Sequence, residues 1–347
     1  MRILVATDAW HPQVNGVVRT LTKLADAAKA LDVEFSFLTP QSFRTFAMPS
    51  YRDVRLAMPR PGRIARLIEE ARPDSIHVAT EGPIGVMVRR DWRQRALPFT
   101  TSFHTRFPEY VRARLPVPES LIWRALRRFH GSSQAVMAAT PALARELSER
   151  GFQNVVLWPR GVETKLFHPR AVDLCLPPPV FLNVGRVAVE KNLEAFLDLD
   201  LPGTKVIVGD GPARASLEED YPQAIFLGEK HGEGLAEIYA AADVFVFPSR
   251  TDTFGLVLLE ALASGLPVAA FPVKGPRDVI GDAPVGVLDE DLRSACLAAL
   301  DISRPACVEF AADYTWEASA RAFVDSIRAV GAVLPHAGGA EQPRFVA

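Results

Sequence analysis

Short apolar runs of strand length alternate along the chain with stretches that are apolar on one face only. "RILVAT" predicts a strand over 2–7, followed by a loop containing Pro12, Asn15 and Gly16. Val17, Leu21, Leu24, Ala28 and Leu31 then recur at spacings of 4, 3, 4 and 3, which places them on one face of a helix. Further strands are predicted at 33–38, 75–79, 98–102, 135–139 and 154–158. After "LCLPPP" (174–179) the pattern restarts, with a strand at 180–187 and a helix from Asn192. Strands follow at 205–211, 224–227, 244–247, 267–271 and 285–288. Alternation of this kind predicts parallel α/β architecture. Its repetition predicts two doubly wound Rossmann-like domains whose strand ends share a cleft. The expected divisions are 1–170, 171–315, a C-terminal helix at 316–331 that is a candidate for crossing back, and a flexible Gly-, Pro- and Ala-rich tail at 332–347.

One stretch breaks its own pattern. In "RTDTFGLVLLEALASG" (250–265), Leu256 to Ala263 is apolar on every side except for Glu260. Such a helix is a buried one, and a carboxylate inside a core is costly unless paired. Thr253 as the cap would leave the amides of Phe254, Gly255 and Leu256 at the positive helix end, where hydroxyls or phosphate are favoured. Glu260 lies five residues beyond Gly255, about 7 Å along the axis. A ribose diol would pair it, and so would an arginine in a core ion pair; the stretch alone leaves both open.

Other residues stand at predicted strand ends. Arg186 and Lys191 in "VGRVAVEKN" follow the first strand of the second half, where two cations suit a diphosphate or form a solvated surface pair. Gly16 opens a helix and lets a phosphate approach, or serves turn geometry alone. His104 in "TTSFHTRFPEY" either donates a hydrogen bond to substrate or is structural. "VGDGP" (208–212), with Gly209 and Asp210, reads best as turn chemistry. Asp198 and Asp200 have metal-ligand spacing but sit in a turn with no further ligand nearby. No HExxH, GxSxG or GxxxxGK[ST] occurs.

Composition narrows the classes. With 347 residues and 48% hydrophobic content the chain can form two ordinary domains, and a net charge of −2 offers no whole-chain field for nucleic acid. Cys175, Cys296 and Cys307 are odd in number and form no CxxC pair, as expected of reduced thiols in the cytoplasm. The apolar run before Asp8 is too short for a signal-peptide core, and none approaches the roughly 18 residues of a membrane span. Charge is nevertheless uneven. Between Arg89 and His130 ten arginines stand against Asp91, Glu109 and Glu119, a local net of +7. Within "VPESLIWRALRRFHG" (117–131), Leu121, Ile122, Ala125, Leu126 and Phe129 recur at helical spacing, with Arg124, Arg127 and Arg128 on or beside the opposite face. This predicts a basic amphipathic contact with an anionic membrane surface; an ordinary surface helix is the alternative.

Residues 250–265 closely resemble the nucleotide-sugar signature of retaining, GT-B-fold glycosyltransferases of family 4, in which two carboxylates separated by seven residues flank "FG"; here they are Asp252 and Glu260. "HPQVNGV", "TSFHT", "PRGVETKLFHP", "GRVAVEKN" and "VGDGP" resemble the family's other motifs in order and spacing, over about residues 1–325. The resemblance implies that Glu260 holds the ribose hydroxyls and that Arg186 and Lys191 hold the diphosphate. It places Asp252 and the amides of Phe254, Gly255 and Leu256 at the sugar, Gly209 in the donor site, Gly16 over the phosphates and His104 beside the reacting centre. It implies no metal and no cofactor beyond the substrate UDP- or GDP-linked sugar. Two departures stand out: Asp252 is one methylene shorter than the usual Glu, and the junction reads "PRGVE" where many members have Pro-Asn-Gly-Val-Asp. "TDTFG", "RGV…LFHP" and "FHTRFPEY" resemble the branch that glycosylates membrane lipids. The implied activity is hexose transfer to a lipid or lipid-linked acceptor by an enzyme peripheral to the inner face of the membrane. A GT-B nucleotide-sugar epimerase and a non-catalytic nucleotide-sugar-binding protein are the alternatives.

Overall fold

The computed structural model describes residues 1–11, 16–48, 51–95, 97–104, 117–251 and 254–332. The first half carries strands β1 (Arg2–Ala6), β2 (Glu34–Leu38), β3 (Thr45–Met48), β4 (Tyr51–Ala57), β5 (Ser75–Val78), β6 (Thr100–Ser102), β7 (Ala135–Ala138) and β8 (Val155–Leu157). The second carries β9 (Val180–Val184), β10 (Thr204–Val208), β11 (Ile225–Phe226), β12 (Val244–Phe247), β13 (Val268–Ala270) and β14 (Gly286–Leu288). Two six-stranded parallel sheets result, ordered β2-β1-β5-β6-β7-β8 and β11-β10-β9-β12-β13-β14. Every residue of β7, β9 and β12 is buried, because helices cover both faces of each sheet. The mixed α/β, doubly wound architecture read from the alternation is the one observed.

Three details differ from the sequence pattern. The antiparallel pair β3–β4 adds to the expected strands; β4 is the longest strand at seven residues, but its sequence YRDVRLA carries Arg52, Asp53 and Arg55, so no apolar run marks it. On the helix Gly16–Ala28, Val18 is buried and Val17 only partly so, a shift of one position around the stripe. The helix expected from Asn192 is a single turn, Glu194–Leu197. Asn192 takes the left-handed conformation at φ +54 and donates from Nδ2 to the Pro248 carbonyl at 3.1 Å, so the chain cannot enter a helix there.

The last helix, Trp316–Ala332, packs on the first sheet. Ala320, Phe323, Val324 and Ile327 share a core with Ile3, Val5, Leu21, Leu24 and Trp158. Its start is tied to the junction between the halves, where the Val162 amide donates to the Tyr314 carbonyl at 2.8 Å. Gly161 permits this approach, since a Cβ there would lie 2.5 Å from the Trp316 nitrogen. The tail from 333 onward lies outside the described residues.

Candidate functional site

In the second sheet strand order reverses between β9 and β12, the position at which open α/β sheets form a ligand crevice. The two strands pair only at Phe181–Val244 and Leu182–Phe245 and then part. Asn183 holds the opening in shape by donating from Nδ2 to the Val246 carbonyl at 2.9 Å. Arg186 and Lys191 lie on the loop leaving β9, both partly exposed. That loop is joined to the one leaving β12: beyond the Asn192–Pro248 bond, Thr251 donates from Oγ1 to the Glu190 carbonyl at 3.3 Å. The structure thus brings both cations to the mouth of the crevice, on a loop bound to the segment that leads into the helix Leu256–Ala263.

That helix is buried from Leu258 through Ala263, Glu260 included. Phe254 is buried, Leu256 partly so, and Gly255 sits at the N-cap in the left-handed region at φ +78, a conformation that favours glycine. The cap is thus Gly255 and not the expected Thr253, because the helix begins only at Leu256; Asp252 and Thr253 themselves lie outside the described residues. Glu260 has two protein partners that the stretch itself could not name. Its Oε1 accepts from Arg19 of the first domain, and its Oε2 accepts from the Tyr239 hydroxyl at 3.1 Å. Glu260's side chain is 4% exposed and Arg19's 39%, so the carboxylate is fixed while the arginine reaches it from the cleft edge. The Glu260 charge raises the pKa of Arg19, and burial followed by that same charge pushes the Tyr239 phenol well above its ordinary range. Tyr239 therefore remains a donor. A carboxylate offers about four lone-pair positions; with one used by each partner, the remainder can accept a diol. Arg19, Lys23, Glu163, Leu256, Glu260 and Trp316 line one small cleft between the domains, where a second ion pair joins Lys23 to Glu163 of the junction at 2.8 Å.

The two glycines assigned to the donor differ in kind. A Cβ on Gly209 would lie 1.8 Å from the Gly185 carbonyl, so close packing of the β9 and β10 loops accounts for that glycine. A Cβ on Gly16 would meet nothing within 4 Å, so packing places no demand there. Asp210 accepts from the Gly211 amide at 2.7 Å, the turn chemistry expected of it. Asp198 accepts from the Tyr221 hydroxyl at 2.6 Å. Among the described residues, no group of three or more His, Cys, Asp or Glu side chains could hold a metal ion.

His104 lies two residues beyond β6, with Nδ1 3.3 Å from Nη2 of Arg160. Burial, then the Arg160 and His77 charges, hold its pKa well below the ordinary range, so the ring is neutral. Arg160 comes from the domain junction and was not singled out as a site residue; nothing in the sequence places 160 beside 104.

The helix Glu119–His130 buries Trp123, Leu126, Phe129 and His130. Leu121, expected on the covered face, is 48% exposed, and Ala125 is exposed with it. Trp123, absent from the expected stripe, takes the inner position and rotates the face. Arg124, Arg127 and Arg128 are exposed, as their pattern predicts. Among the described residues no helix is long and apolar enough to cross a membrane.

Residues 14–166 match the family described as Glycosyltransferase Family 4, and residues 178–301 match Glycosyl transferases group 1. The chain is 30% identical over 315 residues to a GDP-mannose-dependent alpha-mannosyltransferase of Mycobacterium tuberculosis, covering 83% of each chain. It is 27% identical over 347 residues to an alpha-monoglucosyldiacylglycerol synthase of Streptococcus pneumoniae, covering 86% of this chain and 78% of the relative. Sucrose-phosphate synthase of Thermosynechococcus elongatus superimposes on 96% of this chain and 100% of its own with a TM-score of 0.73, at 19% identity, a likeness of fold alone.

Proposed function

The chain belongs to glycosyltransferase family 4, and we propose that it moves a hexose from a UDP- or GDP-linked sugar to a membrane lipid or lipid-linked acceptor, retaining the anomeric configuration. The observation that carries this is the placement of Glu260. Its buried carboxylate lies at the interdomain cleft, on the helix reached from the loop that is hydrogen-bonded to the Arg186–Lys191 segment. In this reading Glu260, oriented by Arg19 and Tyr239, accepts the ribose hydroxyls, and Arg186 and Lys191 face the diphosphate. The amides of Phe254, Gly255 and Leu256, with Asp252, hold the sugar, while Gly16 leaves room over the phosphates and Gly209 shapes the donor loop. His104 contacts the hexose near the reacting carbon.

Breaking the glycosidic bond to a diphosphate leaves negative charge on the departing oxygen, so fixed cations there are the largest catalytic asset. Arg186 and Lys191 supply that charge, and the reaction proceeds without a divalent metal. The departing phosphate takes the acceptor's proton, which spares the enzyme a carboxylate pair of the kind glycoside hydrolases use. A lipid acceptor matches the name of the diacylglycerol-glycosylating relative and the exposed Arg124, Arg127 and Arg128. These arginines hold the enzyme, a peripheral cytoplasmic protein, against anionic lipid on the inner membrane face.

Calorimetric titration with UDP and with GDP tests the donor site. Wild type binds one of the two nucleotides, and Glu260→Gln binds it about 10- to 150-fold more weakly, the loss of a charge-assisted hydrogen bond. Unchanged affinity in a folded Glu260→Gln protein would confine Glu260 to its contacts with Arg19 and Tyr239 and remove the ribose assignment.

A further inference from the structure

Arg160 stands where the junction departs from the commoner Pro-Asn-Gly form, and its surroundings are unusual for a cation. It is 4% exposed, and among the described residues no carboxylate pairs with it. The guanidinium lies over the Trp158 ring, 4.1 Å from its centroid, and Nη1 donates to the Trp158 carbonyl at 2.9 Å. Trp158 is fully buried, and its Nε1 donates to Ser319 Oγ at 3.1 Å. Ser319 Oγ in turn donates to the Pro159 carbonyl at 2.7 Å. With Gly161 wedged against the start of the last helix, the whole segment is fixed and Arg160 has one seat. From that seat Nη2 points at His104 Nδ1, 3.3 Å away, and the His104 ring meets the same Trp158 edge-on at 5.6 Å.

A guanidinium carries N–H donors and no lone pair. The Nδ1 that faces it must therefore be the lone-pair nitrogen, and the single proton of the neutral imidazole must sit on Nε2. An imidazolium would turn a second N–H, and a second positive charge, against the first. We propose that Arg160 is a positioning residue that fixes His104 in the Nε2–H tautomer, so that His104 meets the donor hexose as a hydrogen-bond donor and not as a base. Only the sugar contact rests on the transfer reaction proposed above; the tautomer follows from the two side chains alone. Burial first and the Arg160 charge second keep His104 neutral, and Arg160, lowered by burial to about 9, keeps its own charge at neutral pH.

The tautomer is directly observable. Long-range proton–nitrogen correlation spectra of protein labelled with 15N-histidine resolve the ring nitrogens of the seven histidines, and His104→Gln identifies the His104 signals by their loss. Wild type shows a protonated Nε2 and an unprotonated Nδ1. Arg160→Lys, still purely a donor, keeps that pattern, whereas Arg160→Met shifts His104 toward the Nδ1–H tautomer. In the transfer assay Arg160→Met lowers kcat about tenfold, what a neutral hydrogen bond costs at its upper range, leaves KM for the nucleotide sugar within about twofold, and Arg160→Lys restores part of the rate. An unchanged Nε2–H tautomer in Arg160→Met, or equal losses in both variants, would overturn the proposal. If the spectra behave as stated but no sugar is transferred to any acceptor, positioning by Arg160 stands and the transfer reaction falls.

Discussion

At the scale of single residues, Glu260 was legible as an anomaly and its partners were not. One acid in an all-apolar helix signals a paired carboxylate from sequence alone. Arg19, 241 positions away, joins it only because two domains face each other. The same limit hid Arg160 from His104. The position of Arg186 and Lys191 on the loop after a strand was readable from the pattern, and that loop leaves β9 where β9 and β12 part. Alanine at either cation lowers kcat more than it weakens donor binding, since charge on the leaving phosphate is greatest in the transition state. Steady-state kinetics set beside nucleotide titration decide this; equal losses in affinity and turnover would make the pair a ground-state anchor.

The buried histidines add a pH dependence of known sign. His77 bridges the hydroxyls of Thr100 and Ser102 at 2.8 and 2.7 Å, and burial first, then the Arg160 and His130 charges, lower its pKa to about 3. An unfolded histidine takes up a proton near its ordinary value of 6.5, and the folded one does not. Stability is therefore lost as pH falls below 6.5, by up to about 1.4 kcal/mol per pH unit for each such histidine, and for His77 the loss continues toward about 3. Thermal unfolding of wild type and His77→Gln between pH 7 and about 4 checks this: the variant's midpoint declines less steeply. Parallel declines would mean that His77 charges within the folded protein.

At the scale of elements, strands buried on both faces announced themselves as apolar runs, and most of the sheet positions follow. The β3–β4 pair leaves no such run because three charged residues stand within the seven of β4, and the helix expected from Asn192 shrinks to the turn Glu194–Leu197 because the left-handed bend at Asn192 is a tertiary effect. In the helix Glu119–His130 the arginine face was readable and the buried face was not, because Trp123 displaces Leu121 from the core. The outcome leaves Leu121 outside with Arg124, Arg127 and Arg128, the mixed basic and apolar face that the proposed reading sets against an anionic bilayer. Each cation contributes about 1 kcal/mol near such a surface. Changing the three arginines together to Gln releases the protein from anionic liposomes and lowers transfer to lipid, while nucleotide binding survives. Co-sedimentation of the triple variant equal to wild type would remove this helix from the membrane contact.

At the scale of the whole molecule, repetition of the strand–helix pattern made the two-domain architecture visible, but not how the halves are joined. Three features make the connection. The last helix lies on the first sheet, the junction runs against that helix at Gly161 and is held to Lys23 at Glu163, and the ion pair from Arg19 crosses the cleft to Glu260. Glu260 belongs to the second half and is oriented by Arg19 of the first, so the proposed donor site draws on both. The most direct measurement of this account is mass spectrometry of membrane lipid extract after incubation with the purified protein, separate UDP- and GDP-linked hexoses, and excess EDTA. The account predicts a new hexosylated lipid with one donor class, formed in the presence of chelator and absent with Glu260→Gln. Consumption of donor without any hexosylated lipid, or product that appears only when magnesium or manganese is restored, would contradict it.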